Sequence, residues 1–376
     1  MTICVAPAGA LNYDEGGGHV WVFLNWALGL RSLGHRVIWL ELPGVSTERL
    51  ARNAPILQRN LARFGLGGSL ALGSRAGAQF AEATGASCIS EDEALEADLL
   101  LSFHYALPAD LVRRFRRSAL VDLDPGLLQL WMSEGTFETP RHDVYFTIGE
   151  TVGKRGTDIP DCGIEWHYTP PPVSLEHWQP TAASPDAAYT TVTHWFYGEM
   201  TFRGGTFNND KRASFLDYLT LPSLAPAPLE LALCIGDADD PTDPERLLWE
   251  SHGWRVRHSW SVTATPEDYR SYIGRSRGEF SCAKPSCMKL QNAWVSDRTL
   301  CYLAAGKPAI VQHTGPSRIL PDAAGMFRFR DLTEAAAALE KVEADYENQC
   351  RLARALAEEH FDARKVVGAV LEKALA

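Results

Sequence analysis

Little in this chain of 376 residues marks it for a membrane, for export or for a polynucleotide. Its first ten residues, MTICVAPAGA, carry no basic side chain. No later stretch is apolar over the roughly 20 residues that a spanning helix needs. Cysteine is present, with 8 residues at Cys4, Cys88, Cys162, Cys234, Cys282, Cys287, Cys301 and Cys350, but no two are spaced as CxxC. The chain is also far longer than a disulfide scaffold, so reduced thiols in a cytoplasmic setting are expected, with no metal site. Positive charge is in deficit: 36 Lys and Arg against 47 Asp and Glu leave a formal charge of -11. That balance disfavours a nucleic-acid polymer or an anionic bilayer as partner, yet leaves room for a mononucleotide in a local cationic pocket. Two further patterns are missing. There is no repeat at solenoid periods, and the glycine run Gly16-Gly17-Gly18 continues into His19 and bulky residues rather than completing GxGxxG.

What is there alternates between strand-like and helix-like segments. A hydrophobic fraction of 45% with 22% charged residues is that of a globular protein, and the length points to two domains. Residues 3–6 read as a strand, ALNYDEGGGH as a loop, and VWVFLNWALGLRSL as a helix stopped by Gly34-His35 before a strand over 37–40. This is a βαβ opening whose loop lies at the strand's carboxyl end, where open α/β sheets place their ligands. His19, entering the helix, reads as a base, a phosphate contact or a cap-region bystander. Residues 97–101 form a strand before Ser102-Phe103-His104. The strand from 119 ends in Asp122 and Asp124, and Asp124-Pro125-Gly126 is either a simple turn or part of a site. Residues 158–186 are proline-bearing and aperiodic, which marks a linker. A second βα series starts near 189, followed by the polar loop GEMTFRGGTFNNDKR; Lys211 and Arg212 there suit a diphosphate or, equally, a solvated helix entry. DADDPTDPE is an exposed acidic turn without metal-loop spacing. Residues 254–262 are expected as a strand, and 346–375 as a helical stretch.

The most informative stretch is 275–317, RSRGEFSCAKPSCMKLQNAWVSDRTLCYLAAGKPAIVQHTGPS. Ser296-Asp297 offers N-cap chemistry to a helix that Gly306-Lys307-Pro308 ends. A short strand follows over 309–311, closed by Thr314-Gly315-Pro316. Arg298 at the helix start is placed where free N–H groups and a guanidinium would together favour a phosphate. The competing reading is an ordinary strand–helix–strand unit with a surface arginine.

Two of these segments resemble one family. GGGHVWVFLNWALGLRSLGHRV is similar to the first loop and helix of GT-B nucleotide-sugar glycosyltransferases, and TLCYLAAGKPAIV is similar to their donor-site helix and strand. The resemblance implies an α/β, GT-B architecture of two Rossmann-like β/α/β domains facing across a cleft. Residues 1–165 would be the acceptor-side domain, 166–187 a linker, 188–350 the nucleotide-sugar donor domain, and 351–376 a helix crossing back. It implies a metal-independent hexosyltransferase of natural-product type, moving a sugar from a nucleoside-diphosphate sugar such as a UDP-sugar to a hydroxyl of a small molecule. The sugar nucleotide would be a co-substrate, with no cofactor. His19 matches the base of inverting members, with Asp122 or Asp124 orienting it; Asp124 is counted as catalytic. Gly17, Gly18, Lys211, Glu279, Lys284, Ser296, Asp297, Arg298, Thr314 and Gly315 are the implied nucleotide contacts. Arg298 with Lys211 or Lys284 would supply the positive charge, and Asp297, Arg298 and Glu279 the phosphate and ribose contacts. Cys301 stands where many relatives carry a donor-binding glutamate, and Ala293 where they carry histidine or glutamate. A nucleotide-sugar epimerase and a non-catalytic GT-B-like nucleotide-binding protein are the alternatives on the same scaffold.

Overall fold

Apolar strand runs separated by helical segments build parallel sheets, because each strand must return by a crossover to pair with its neighbour. The computed structural model describes residues 1–13, 16–236 and 239–376. Asp14 and Glu15 of the first glycine loop and Asp237 and Ala238 of the acidic turn lie outside the described residues. The chain divides into two compact units. The first comprises Met1–Gly153, Pro160–Ser174 and Ala363–Ala376; the second comprises Lys154–Ile159 and Leu175–Asp362. No described helix is long and apolar enough to cross a membrane.

Unit 1 is a seven-stranded sheet of β1 (Thr2–Ala6), β2 (Arg36–Glu41), β3 (Leu70–Leu72), β4 (Leu99–Ser102), β5 (Ser118–Asp122), β6 (Val144–Thr147) and β7 (Trp166–Tyr168). Every pairing is parallel, in the order β3-β2-β1-β4-β5-β6-β7. Ile3, Cys4 and Val5 of the central strand are fully buried on both faces, as a strand covered by helices requires. The helix Gly17–Ser32 buries Trp21, Phe23, Leu24, Trp26 and Leu28, so it is apolar almost all round and lies inside the unit. Gly29 explains how closely it is packed. A Cβ there would meet Ala363 O and Val367 Cγ2 at 2.9 Å each.

That contact brings in the C-terminal helix Ala363–Leu375. The returning segment therefore begins at Ala363 rather than 351, because 351–362 belongs to unit 2. The expected linker over 166–187 is also shorter. Trp166, buried and paired with Tyr145, adds β7 as an edge strand, and Pro170, Pro171 and Pro172 follow it.

Unit 2 has a six-stranded parallel sheet of β8 (Tyr189–His194), β11 (Leu229–Cys234), β12 (Arg255–His258), β13 (Gly278–Ser281), β14 (Ala309–Gln312) and β15 (Met326–Phe329), ordered β12-β11-β8-β13-β14-β15. The polar loop after β8 is a hairpin of β9 (Glu199–Phe202) and β10 (Gly205–Asn208). The strand expected over 254–262 stops at His258, where the chain turns into the short helix Trp260–Thr263. Aromatic rings fill the core, including a stacked Phe280–Phe329 pair with centroids 5.2 Å apart.

Replacing Gly29 by Val forces the Gly17–Ser32 and Ala363–Leu375 helices apart. It is expected to destabilise the protein by about 1–3 kcal/mol, the usual cost of overpacking. Urea denaturation followed by tryptophan fluorescence measures it, and an unchanged midpoint would refute the close packing.

Candidate functional site

In each sheet the strand order reverses once, and ligands of open α/β sheets bind outside the carboxyl ends of the strands at that reversal. In unit 1 the reversal lies between β1 and β4, and in unit 2 between β8 and β13.

In unit 2 the residues beyond these strand ends form a cationic cluster. Lys284 caps the helix Pro285–Leu290 that follows β13, and Lys211 opens the helix Lys211–Leu216. Arg298 lies in the first turn of Asp297–Ala304, whose N-cap Ser296 accepts from the Arg298 amide at 3.3 Å. Lys211 is 7% exposed, with its ammonium 5.8 Å from the Trp294 ring centre, and Lys284 lies 3.8 Å from the ring centre of Tyr197. Among the described residues neither ammonium has an ion-pair or hydrogen-bond partner. Burial, then the charges of Arg298 and Lys284, push Lys211 down to about 7. The His194 imidazole at the end of β8 is lowered by burial and by the same two lysines. Three cations thus face two carboxylates, Glu279 and Asp297, and burial pushes the second toward its protonated form. Positive charge left uncompensated in a partly desolvated site is the arrangement an anion would relieve. A pocket lies beside it, lined by Ser281, Ala283, Trp294, Ser296, Arg298 and Thr314 among others.

Three groups of the expected contacts have partners inside unit 2. Arg298 is not a spare cation. Its Nε donates to Glu279 Oε1 at 2.7 Å, one terminal nitrogen to Val192 O at 2.9 Å and the other to Ser281 Oγ at 2.6 Å. Burial disfavours its charge, but Glu279 more than compensates and holds the guanidinium above its ordinary value. Glu279 is wholly buried and holds Arg298 through Oε1, while Oε2 has no hydrogen-bond partner among the described residues. Thr314 and Gly315 also hold a loop. Thr314 O accepts from Ala293 N at 3.0 Å, and Thr314 Oγ1 donates to Trp294 O at 2.6 Å. A Cβ on Gly315 would stand 2.5 Å from Gln291 O. This clamp holds Gln291 and Ala293 in left-handed conformations (φ 49° and 56°), which cost such residues on the order of 1–3 kcal/mol each, and presents Trp294 to the pocket. Cys301 is buried in the helix behind it.

In unit 1, Gly17 and Gly18 form the first turn of the helix that carries His19. His19 Nε2 is 3.1 Å from Ala8 O, and its ring packs on Tyr13 and Phe23 with centroids 4.5 and 5.2 Å away. A carbonyl only accepts, so Nε2 carries the proton and the lone pair of the neutral ring lies on Nδ1. Asp122 is fully buried, pushed up to about 6 by desolvation, and accepts from Gln129 Nε2 at 2.9 Å and Thr147 Oγ1 at 2.8 Å. Asp124 Oδ2 accepts from Tyr105 OH at 3.2 Å, and its carbonyl receives Leu127 N at 3.0 Å. Neither is hydrogen-bonded to His19.

Several contributors escape sequence reasoning. Asn209 Oδ1 receives Ser286 N at 2.8 Å, and Asp210 Oδ1 receives Tyr197 N and Gly198 N, so NND sets the segments carrying both lysines. Only the clustering of Asn and Asp ahead of Lys211 hinted at this.

No protein-family model matches the chain, and no curated protein matches it in sequence. Solved structures do match. An alpha-glucosyltransferase (AGT) in complex with UDP is similar at a TM-score of 0.60 and 12% identity, covering 100% of both chains. AviGT4, a glycosyltransferase involved in avilamycin A biosynthesis, matches at 0.54 and 13%, over 100% of this chain and 97% of the other. HepE of Anabaena, solved with UDP and glucose, matches at 0.55 and 10%, covering 99% of each. The chain has the GT-B fold, with two Rossmann-like α/β units.

The Arg298–Glu279 pair sets a prediction of its own. Arg298→Met strands a buried carboxylate and should cost about 3–5 kcal/mol, while adding Glu279→Met recovers much of that loss. A double-mutant cycle by urea denaturation checks both; additive losses would mean the two groups do not interact.

Proposed function

We propose that the protein is a glycosyltransferase that takes its sugar from a nucleoside diphosphate, with UDP the first candidate, and passes it to a hydroxyl of a small molecule. The observation that carries this reading is the pair of unpartnered ammonium groups, Lys211 and Lys284, at the strand reversal of unit 2 in a GT-B fold. Glycosyl transfer leaves a diphosphate whose charge grows as the bond breaks, and positioned cations stabilise that charge. AGT and HepE, solved with UDP, support the nucleotide. AGT has also been solved with UDP and a 13-mer DNA, at a TM-score of 0.58. The formal charge of -11 argues against such a polyanion here and favours a small acceptor, as does the likeness to AviGT4. His19 is the proposed base that takes the acceptor proton. The 8 cysteines form no disulfide among the described residues, which suits a reducing cytoplasm.

Thermal-shift titration with UDP, GDP, TDP and ADP tests the nucleotide, since a ligand of the native state raises its stability. UDP should give the largest shift; none from any of the four would overturn the reading. Lys211→Ala should weaken that binding about tenfold or more, a charge-assisted hydrogen bond being worth roughly 1.5–3 kcal/mol. The sign of the pH effect follows from Lys211, which is protonated below about 7 and neutral above it. Diphosphate affinity should fall as pH rises from 6 to 8.5, and Lys211→Arg should flatten that dependence; calorimetry at several pH values reads both. His19→Ala should abolish transfer while nucleotide binding stays intact. Turnover of a UDP-sugar without any acceptor would point to epimerisation instead.

A further inference from the structure

Glu41 is the last residue of β2, the strand beside β1. An acid at this strand end in a dinucleotide-binding domain faces the ribose. Here the side chain is turned inward and is 1% exposed. Oε1 accepts from Trp39 Nε1 at 2.9 Å, and Oε2 accepts from the main-chain N of Leu11 at 3.4 Å.

We propose that Glu41 is a positioning residue for His19, holding from one carboxylate both the main chain and the aromatic stack between which the imidazole is seated. The inference rests on the reading of His19 as the base. The first route runs through the backbone. Leu11 is the centre of the short turn Ala10–Asn12, two residues after Ala8, whose carbonyl receives the proton on His19 Nε2. The helix Thr47–Arg63 secures the same turn from its other side, through Asn53 Nδ2 to Leu11 O at 2.9 Å and Arg49 to Asn12 O at 2.7 Å. The second route runs through rings. Trp39, fully buried, meets Phe23 edge-on at 6.3 Å, and Phe23 meets His19 edge-on at 5.2 Å. Both routes begin at the two oxygens of Glu41 and end on one imidazole. Burial raises the Glu41 carboxyl to about 7, opposed by the Trp39, Leu11 and Ala10 donors, so the group is retained against a desolvation cost. A main-chain loop that also sets a ring tautomer is worth such a cost, since small displacements of a reacting group slow a reaction strongly.

Glu41→Gln tests this, because the amide keeps the shape but offers one acceptor oxygen for two N–H donors. In 15N-histidine-labelled protein, the His19 Nε2–H resonance should shift or broaden. The transfer kcat should fall about tenfold, with the donor KM held within about twofold. Asn53→Ala, which removes the other anchor of Leu11, should move the same resonance and stands in if Glu41→Gln does not fold. An unchanged resonance and unchanged kcat in both variants would overturn the assignment. Failure of the base reading is seen separately, as full transfer by His19→Ala, and the resonance reports on positioning whichever way that falls.

Discussion

The buried ion pair between Glu279 and Arg298 is the constraint on which the candidate nucleotide site depends. Glu279 comes from β13 beside the strand reversal, and Arg298 from the helix that begins after the pocket-lining loop. Their bond ties the sheet to that helix. Taking both charges out of water is expensive, so such a pair is weak evidence of stability and better evidence of a required geometry. The guanidinium extends that geometry to the Val192 carbonyl of β8 and the Ser281 hydroxyl of β13, so that it bridges the two strands of the reversal. With Arg298 neutralised, the charge available to a ligand passes to Lys211 and Lys284.

Those lysines are held by neutral contacts instead. Aromatic rings lie under both ammonium groups, and Asn209 and Asp210 fix the segments that carry them through main-chain amides. A ring face holds a cation without cancelling its charge as a carboxylate would. The lysines therefore keep no carboxylate partner among the described residues, and burial, then the charges of Arg298 and Lys284, lower Lys211. Unit 1 follows the same plan with different chemistry. Among its described residues, Ala8 O and the His19 imidazole lie together, Asp122 is held by Gln129 and Thr147, and Glu41 by Trp39 and Leu11.

Much of the scaffold was legible because it depends on local signals. The helix-ending Gly34 and Gly306, the Ser296 cap and the fully apolar β1 each specify their own element through backbone geometry or burial. Elements that rely on distant partners were harder to read. The β9–β10 hairpin looked like a polar loop because its pairing is short and largely exposed, leaving no apolar alternation. β7 looked like linker because a three-residue edge strand carries no period. The helical stretch over 346–375 showed no interruption, although the chain changes units at Ala363.

The sequence by itself determined that the chain alternates strand and helix in two series, that a histidine follows the first glycine run, and that arginine and lysines cluster around the second series. These facts follow from residue order and short-range geometry. Only the tertiary structure decided what each charge does, because a charge is defined by its neighbours. Nothing in SDRTL says that Arg298 meets Glu279, nineteen residues away on another strand. Nothing near Asp124 says that Tyr105 reaches it before any histidine. Pairing across the sheet tied Arg298 to Glu279, and placed two lysines, individually ambiguous in the sequence, against aromatic rings without a carboxylate partner among the described residues.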